Sequence, residues 1–76
     1  MPAKRRLNPK KLLHSKWTAA QPQNREKHFM VTAVLEPESP DGAIELVEIE
    51  AIYTQRRFTL TWQTLTDEQQ WLQGWV

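Results

Sequence analysis

The stretch HFMVTAVLE, residues 28–36, decides the fold class of this chain. Phe29, Val31, Ala33 and Leu35 share one side of an extended backbone at period two, and His28, Met30, Thr32 and Val34 share the other. This spacing predicts a strand. Its partly apolar second side predicts a central position, or cover on both faces.

Working outward, residues 21–27 read as a polar loop opened by Pro22. Residues 15–20 read as a first strand with Trp17 inward and Lys16 and Thr18 outward. Between the arm and that strand, Leu12 and Leu13 are placed to cover one edge of a core. Downstream, EPESPDG (residues 36–42) is a turn by its two prolines and Asp41-Gly42. A third strand over residues 43–54 changes parity: Ile44 and Leu46 on one, Val47, Ile49, Ala51 and Tyr53 on the other. A bulge near Leu46-Val47 would turn both sets inward. After a short turn at Gln55-Arg56, RFTLTWQ (residues 57–63) alternates cleanly, with Phe58, Leu60 and Trp62 inward. Thr66-Asp67-Glu68-Gln69 matches a capping box, which predicts a short helix to about residue 73, ended by Gly74.

The expected architecture is mostly β: a small, strongly bent antiparallel four-stranded sheet, or an SH3/Sm-like half-barrel, with a short C-terminal helix. Residues 1–11 form a basic flexible N-terminal arm, and residues 12–76 a single small domain. The expected core is Trp17, Phe29, Val31, Leu35, Val47, Ile49, Phe58, Leu60, Trp62 and Trp71.

Four tryptophans in 76 residues weigh heavily in so small a domain. Each serves either as core filling or as a flat ring offered to a ligand. Trp17, Trp62 and Trp71 read as core, whereas Trp75 is evenly balanced. There is no cysteine, so no disulfide or thiolate metal site exists. The Lys/Arg-rich start is followed by no apolar run of roughly 7–15 residues, and nothing approaches the ~20 of a membrane span. The expectation is a cytoplasmic protein without membrane contact.

The formal net charge of +1 hides an asymmetry. Residues 1–35 hold eight Lys/Arg against one acid, Glu26; residues 36–76 hold two against eight acids. A basic segment on an acidic body points to an anionic partner, or to an arm that folds back on the body. Catalysis is not expected: neither histidine has a nucleophile motif, and two glycines make no phosphate loop. Glu45, Glu48 and Glu50 read as solvated strand-face acids rather than a metal set. No cofactor, metal or small-molecule substrate is expected.

Asn8-Pro9-Lys10-Lys11-Leu12-Leu13, Ser15-Lys16-Trp17-Thr18-Ala19, Lys27-His28-Phe29, Arg56-Arg57-Phe58 and Trp62…Leu65…Trp71…Gly74-Trp75 together resemble a family of small bacterial tryptophan-rich proteins of unknown function, represented in cyanobacteria and proteobacteria. The likeness runs from Asn8 nearly to the end. Thr61 departs from it where a proline often precedes the tryptophan, and the acidic loop at residues 36–42 is longer. The resemblance implies a cytoplasmic bacterial protein and no mechanism, while drawing attention to Lys16, Lys27, His28, Arg56 and Arg57.

The expected function is a non-enzymatic binding module. A basic face of Lys16, Lys27, His28, Arg56 and Arg57, with Lys10 and Lys11, would meet an anionic partner, RNA foremost. Against this stands pairing of Arg56 and Arg57 with Glu48 and Glu50. The alternative is a protein–protein adaptor or small accessory subunit of a larger complex, anchored by the basic arm and Trp75.

Overall fold

Backbone pairing at the first hairpin sets the geometry of everything after it. Asn24 and Arg25 both have positive φ, 55° and 63°, as a two-residue hairpin turn requires. Gln23 pairs with Glu26 across it. Strands β1 (Lys16–Gln23) and β2 (Glu26–Val34) therefore run through the segment whose polarity reads as a loop. Pro22 is accommodated because the β1–β2 register shifts between Thr18 and Gln23; an irregular stretch tolerates a residue lacking an N–H.

The computed structural model describes residues 6–39 and 41–76; residues 1–5 of the expected arm and Pro40 of the expected turn lie outside them. Three further strands follow: β3 (Leu46–Ala51), β4 (Arg57–Thr61) and β5 (Trp71–Gln73). All neighbours are antiparallel, in the order β4-β3-β2-β1-β5. The protein is thus mostly β, but among the described residues its sheet has five strands, not four, and stays open with β4 and β5 as edges. Its overall extents, 38 × 33 × 16 Å, are those of a slab rather than a half-barrel.

The expected C-terminal helix is absent. Residues Trp62–Thr66 form a 3-10 turn, and the Thr66–Gln69 signature builds a turn around Asp67 instead. Asp67 Oδ1 accepts from the Gln69 N–H at 2.9 Å, and its carbonyl accepts from the N–H groups of Gln70 and Trp71. An aspartate that bonds its own following backbone competes with helix formation. Three residues before Gly74 are also too few to repay helix nucleation, and the open side of β1 takes them: Trp71 pairs with Ala19, Leu72 with Thr18 and Gln73 with Trp17.

The irregularity expected in the third strand sits in β2. Register shifts between Val31 and Ala33, so Val34, not Ala33 or Leu35, packs beside Val31 against the core. β3 starts at Leu46, which is exposed, and Val47, Ile49 and Ala51 are fully buried without any slip. The strand ends at Ala51, whose carbonyl accepts the Gln55 N–H in a turn with Gln55 at φ 62°.

One sheet face carries Trp17, Phe29, Val31, Val47, Ile49 and Ala51. The chain must cross the sheet to pass from β4 to β5, and it lays Leu65 on that face, fully buried. Leu12 covers it from the N-terminal side, after a 3-10 turn at Pro9–Lys11 whose Lys10 N–H is capped by Asn8 Oδ1. Leu7 also packs against this core. Phe58, Leu60 and Trp62 lie at its margin, half-buried rather than central.

Replacing Trp17 by Ala should cost about 3–5 kcal/mol and Leu65 by Ala about 2–5 kcal/mol. Urea denaturation followed by circular dichroism measures both. A cost near zero for Leu65→Ala would contradict the sheet-crossing arrangement.

Candidate binding surfaces

The sheet face away from the core takes the alternate residues. Cross-strand pairing sets Lys16, Met30, Glu50 and Arg57 in one row over four strands, and Thr18 beside His28 in another. Gly74 then turns the chain back over this face with φ 80°, a conformation natural to glycine. Its N–H donates to the Lys16 carbonyl at 2.8 Å. Thr18 holds the returning segment at two points: Oγ1 donates to the Gly74 carbonyl at 2.7 Å and accepts the Val76 N–H at 3.1 Å. This covering leaves Thr18 only 1% exposed.

Trp75 lies on this surface with its Nε1–H donated to the Phe29 carbonyl at 2.9 Å. Lys16 Nζ stands 4.8 Å from its ring centroid, within cation–π range. The His28 ring is 5.8 Å away, tilted by 32°, and His28 Nε2 donates to the Val76 main-chain oxygen at 3.0 Å. Trp75 remains 41% exposed. Lys16, His28 and Trp75 therefore form one cluster, an aromatic platform with a lysine and an imidazole at its rim.

The other expected cations are held elsewhere. Arg57 Nε donates to Glu50 Oε1 at 2.7 Å, and three strand spacings, about 14 Å, separate β4 from the Lys16 strand. Glu48 accepts from Thr32 Oγ1 rather than from an arginine. Arg56 turns to the core side, where Nε and Nη2 grip Glu26 at 3.0 and 2.8 Å, and its guanidinium lies 4.5 Å from the Phe58 ring centroid. Lys27 is exposed on β2, and Lys10 and Lys11 are exposed on the first 3-10 turn. The seven polar residues picked from the sequence thus do not form a single patch.

Glu26 is the site residue that sequence reasoning missed. It is 5% exposed and borders an open cleft of about 610 Å³ floored by Phe29, Phe58 and Trp71. Phe29 meets both neighbouring rings edge-on, at 6.1 Å from Phe58 and 5.0 Å from Trp71. Hydrogen bonds from Arg56, then from Thr54 Oγ1 at 2.6 Å, outweigh burial and lower the Glu26 carboxyl from 4.5 to about 2. Its one legible signal is being the lone acid among the eight basic residues of the first 35.

Among the described residues, no group of three or more His, Cys, Asp or Glu side chains is placed to hold a metal ion. No helix among them is long and apolar enough to cross a membrane. The arrangement presents two candidate surfaces: one indole platform, and one aromatic-floored cleft closed at one side by an ion pair.

An open antiparallel sheet stabilised by indoles on both faces defines a tryptophan-rich β protein. The chain belongs to the family described as tryptophan-rich protein (DUF2389), which matches residues 15–76. No curated protein and no solved structure matches it.

Because the Glu26 carboxyl is lowered in the folded state, its contribution to stability is complete above about pH 4.5 and is lost as pH falls towards about 2. Thermal unfolding of the wild type should therefore show a falling Tm over that window. Glu26→Gln should lower Tm at neutral pH and flatten the acid slope. An unchanged slope in the variant would place the acid sensitivity elsewhere.

Proposed function

We propose that this protein is a non-enzymatic binding module for an anionic polymer, RNA, with Lys16, His28 and Trp75 as the contact nucleus. One observation carries the reading: a partly exposed indole, fixed on an open sheet face, has a lysine and an imidazole beside it. A ring held this way presents a ready surface to an unpaired base. Stacking of that kind contributes about 1–3 kcal/mol per base. Lys16 would position a phosphate, and the exposed Lys27, Lys10 and Lys11 would add to the attraction at longer range. Arg56 and Arg57 are left out of this nucleus because each is paired with a carboxylate away from the Trp75 ring.

An adaptor anchored by Trp75 is the weaker reading. Insertion into a partner's pocket requires giving up the bond to the Phe29 carbonyl and the contacts with Lys16 and His28.

Fluorescence anisotropy with labelled single-stranded RNA tests the proposal. Binding should appear at low salt and weaken as salt rises. Lys16→Gln should reduce the slope of log K against log salt by about 0.7, and Trp75→Leu should weaken binding by about 1–3 kcal/mol at every salt concentration. Circular dichroism shows whether each variant keeps the fold. Absence of binding at low salt, or a slope indifferent to Lys16, rejects the RNA reading.

A further inference from the structure

The two edges of the sheet differ in how far they are protected. At one edge, β5 is three residues long and ends at Gly74, while the stretch of β1 beyond it carries Pro22. Short strands and proline are the usual means of keeping an edge from pairing with another chain. The β4 edge has neither. Its five residues pair with β3 without a register shift, and no described residue pairs with its outer side.

The phase of the β4 backbone follows from its inner bonds. The Ala51 N–H donates to the Arg56 carbonyl at 2.9 Å, and the Trp62 N–H donates to the Glu45 carbonyl at 3.0 Å. By the alternation of an antiparallel ladder, residues 56, 58, 60 and 62 turn their main-chain groups towards β3. Arg57 and Thr59 therefore turn theirs outward, unpaired within the sheet, and Thr61 turns its N–H the same way while its carbonyl caps the following 3-10 turn.

We propose that this edge pairs with the β4 edge of a second copy, antiparallel, about a two-fold axis through Thr59. In that register the outward groups of Thr59 meet those of Thr59 in the other copy, and Arg57 meets Thr61. Phe58 then falls opposite Leu60 as a non-hydrogen-bonded pair, the closer of the two kinds. These half-buried apolar side chains on the core face continue across the junction, and the sheet becomes ten-stranded.

Other registers are worse for stated reasons. Centring on Phe58 brings the two Arg57 residues to within about 7 Å of each other along the strands, and centring on Leu60 carries the ladder into the 3-10 turn that begins at Trp62. Centring on Arg57 opposes two guanidinium groups, which is destabilising. Centring on Thr61 runs into the 3-10 turn that begins at Trp62. The favoured register keeps the two Arg57 residues about 14 Å apart along the strands. This self-complementarity selects a second copy over an unrelated extended peptide.

Sedimentation equilibrium of the full chain over a wide concentration range decides the matter. The wild type should reach twice the monomer mass. Thr59→Pro removes an N–H that the isolated sheet does not use, so it should weaken the dimer roughly tenfold or more while circular dichroism stays native. Thr59→Glu places two carboxylates opposite each other; it should also dissociate the dimer, with partial recovery at high salt. Thr59→Glu decides alone should Thr59→Pro fail to fold. A wild type that stays monomeric throughout, or a dimer that a folded Thr59→Glu variant leaves intact, overturns the proposal.

Discussion

A single five-stranded sheet has two faces and two edges, and a chain of 76 residues has one main segment left to cover them. Residues 62–76 divide that work. Leu65 closes the core face as the chain crosses it, Trp71 joins the outer side of β1, and Trp75 lies on the opposite face. A chain this short buries only about 60% of its unfolded surface, so large side chains are needed wherever contact is made. Indoles meet that need at a cost: each N–H has to find an acceptor. Trp17 donates to Ser15 Oγ, Trp62 to the Ile44 carbonyl and Trp75 to the Phe29 carbonyl. The tryptophans thus act as directional links between segments as well as bulk.

Electrostatics follow the same logic of closure. Burying the Glu26 carboxylate costs hydration, which two bonds from Arg56 and one from Thr54 offset. Those three residues come from the β1–β2 hairpin and the turn between β3 and β4, which are far apart in sequence. Their meeting ties the two turns together at one end of the sheet. Arg56 is held further by its contact with Phe58, a role its flat guanidinium can fill and a lysine cannot. Its charge is therefore committed to structure.

Alternation made much of the sheet readable. Phe29-Val31, Val47-Ile49-Ala51 and Phe58-Leu60 declare their inward sides, and Trp17 and Trp71 are core as composition demands. What was not readable depends on backbone conformations or distant partners. Arg25 at positive φ is an uncommon turn residue, so the hairpin looked like a loop. The Thr66–Gln69 signature was real local chemistry, but Asp67 used it to form a turn, since β1 had an open side for Trp71–Gln73. The bulge in β2 has no side-chain signature. The number and signs of the cations are visible in the sequence; their partners are not. Arg57 found the expected Glu50, whereas Arg56 found Glu26, thirty positions away.

An aromatic ring that serves recognition has to satisfy opposed conditions: exposed enough to be touched, and fixed enough that contact does not have to order it. The core indoles meet only the second. A tryptophan on a free tail would meet only the first, and immobilising it would subtract from whatever it gained. Trp75 meets both because the backbone of its own segment, rather than the face of the ring, bears most of the fixing. Gly74 supplies the turn, Thr18 anchors the main chain on either side, and a single N–H bond orients the indole. The burial of Thr18 therefore fixes the tail as well as filling space beneath it. It is the small polar side chain beneath the tail that allows a large apolar one to stay in place on the surface.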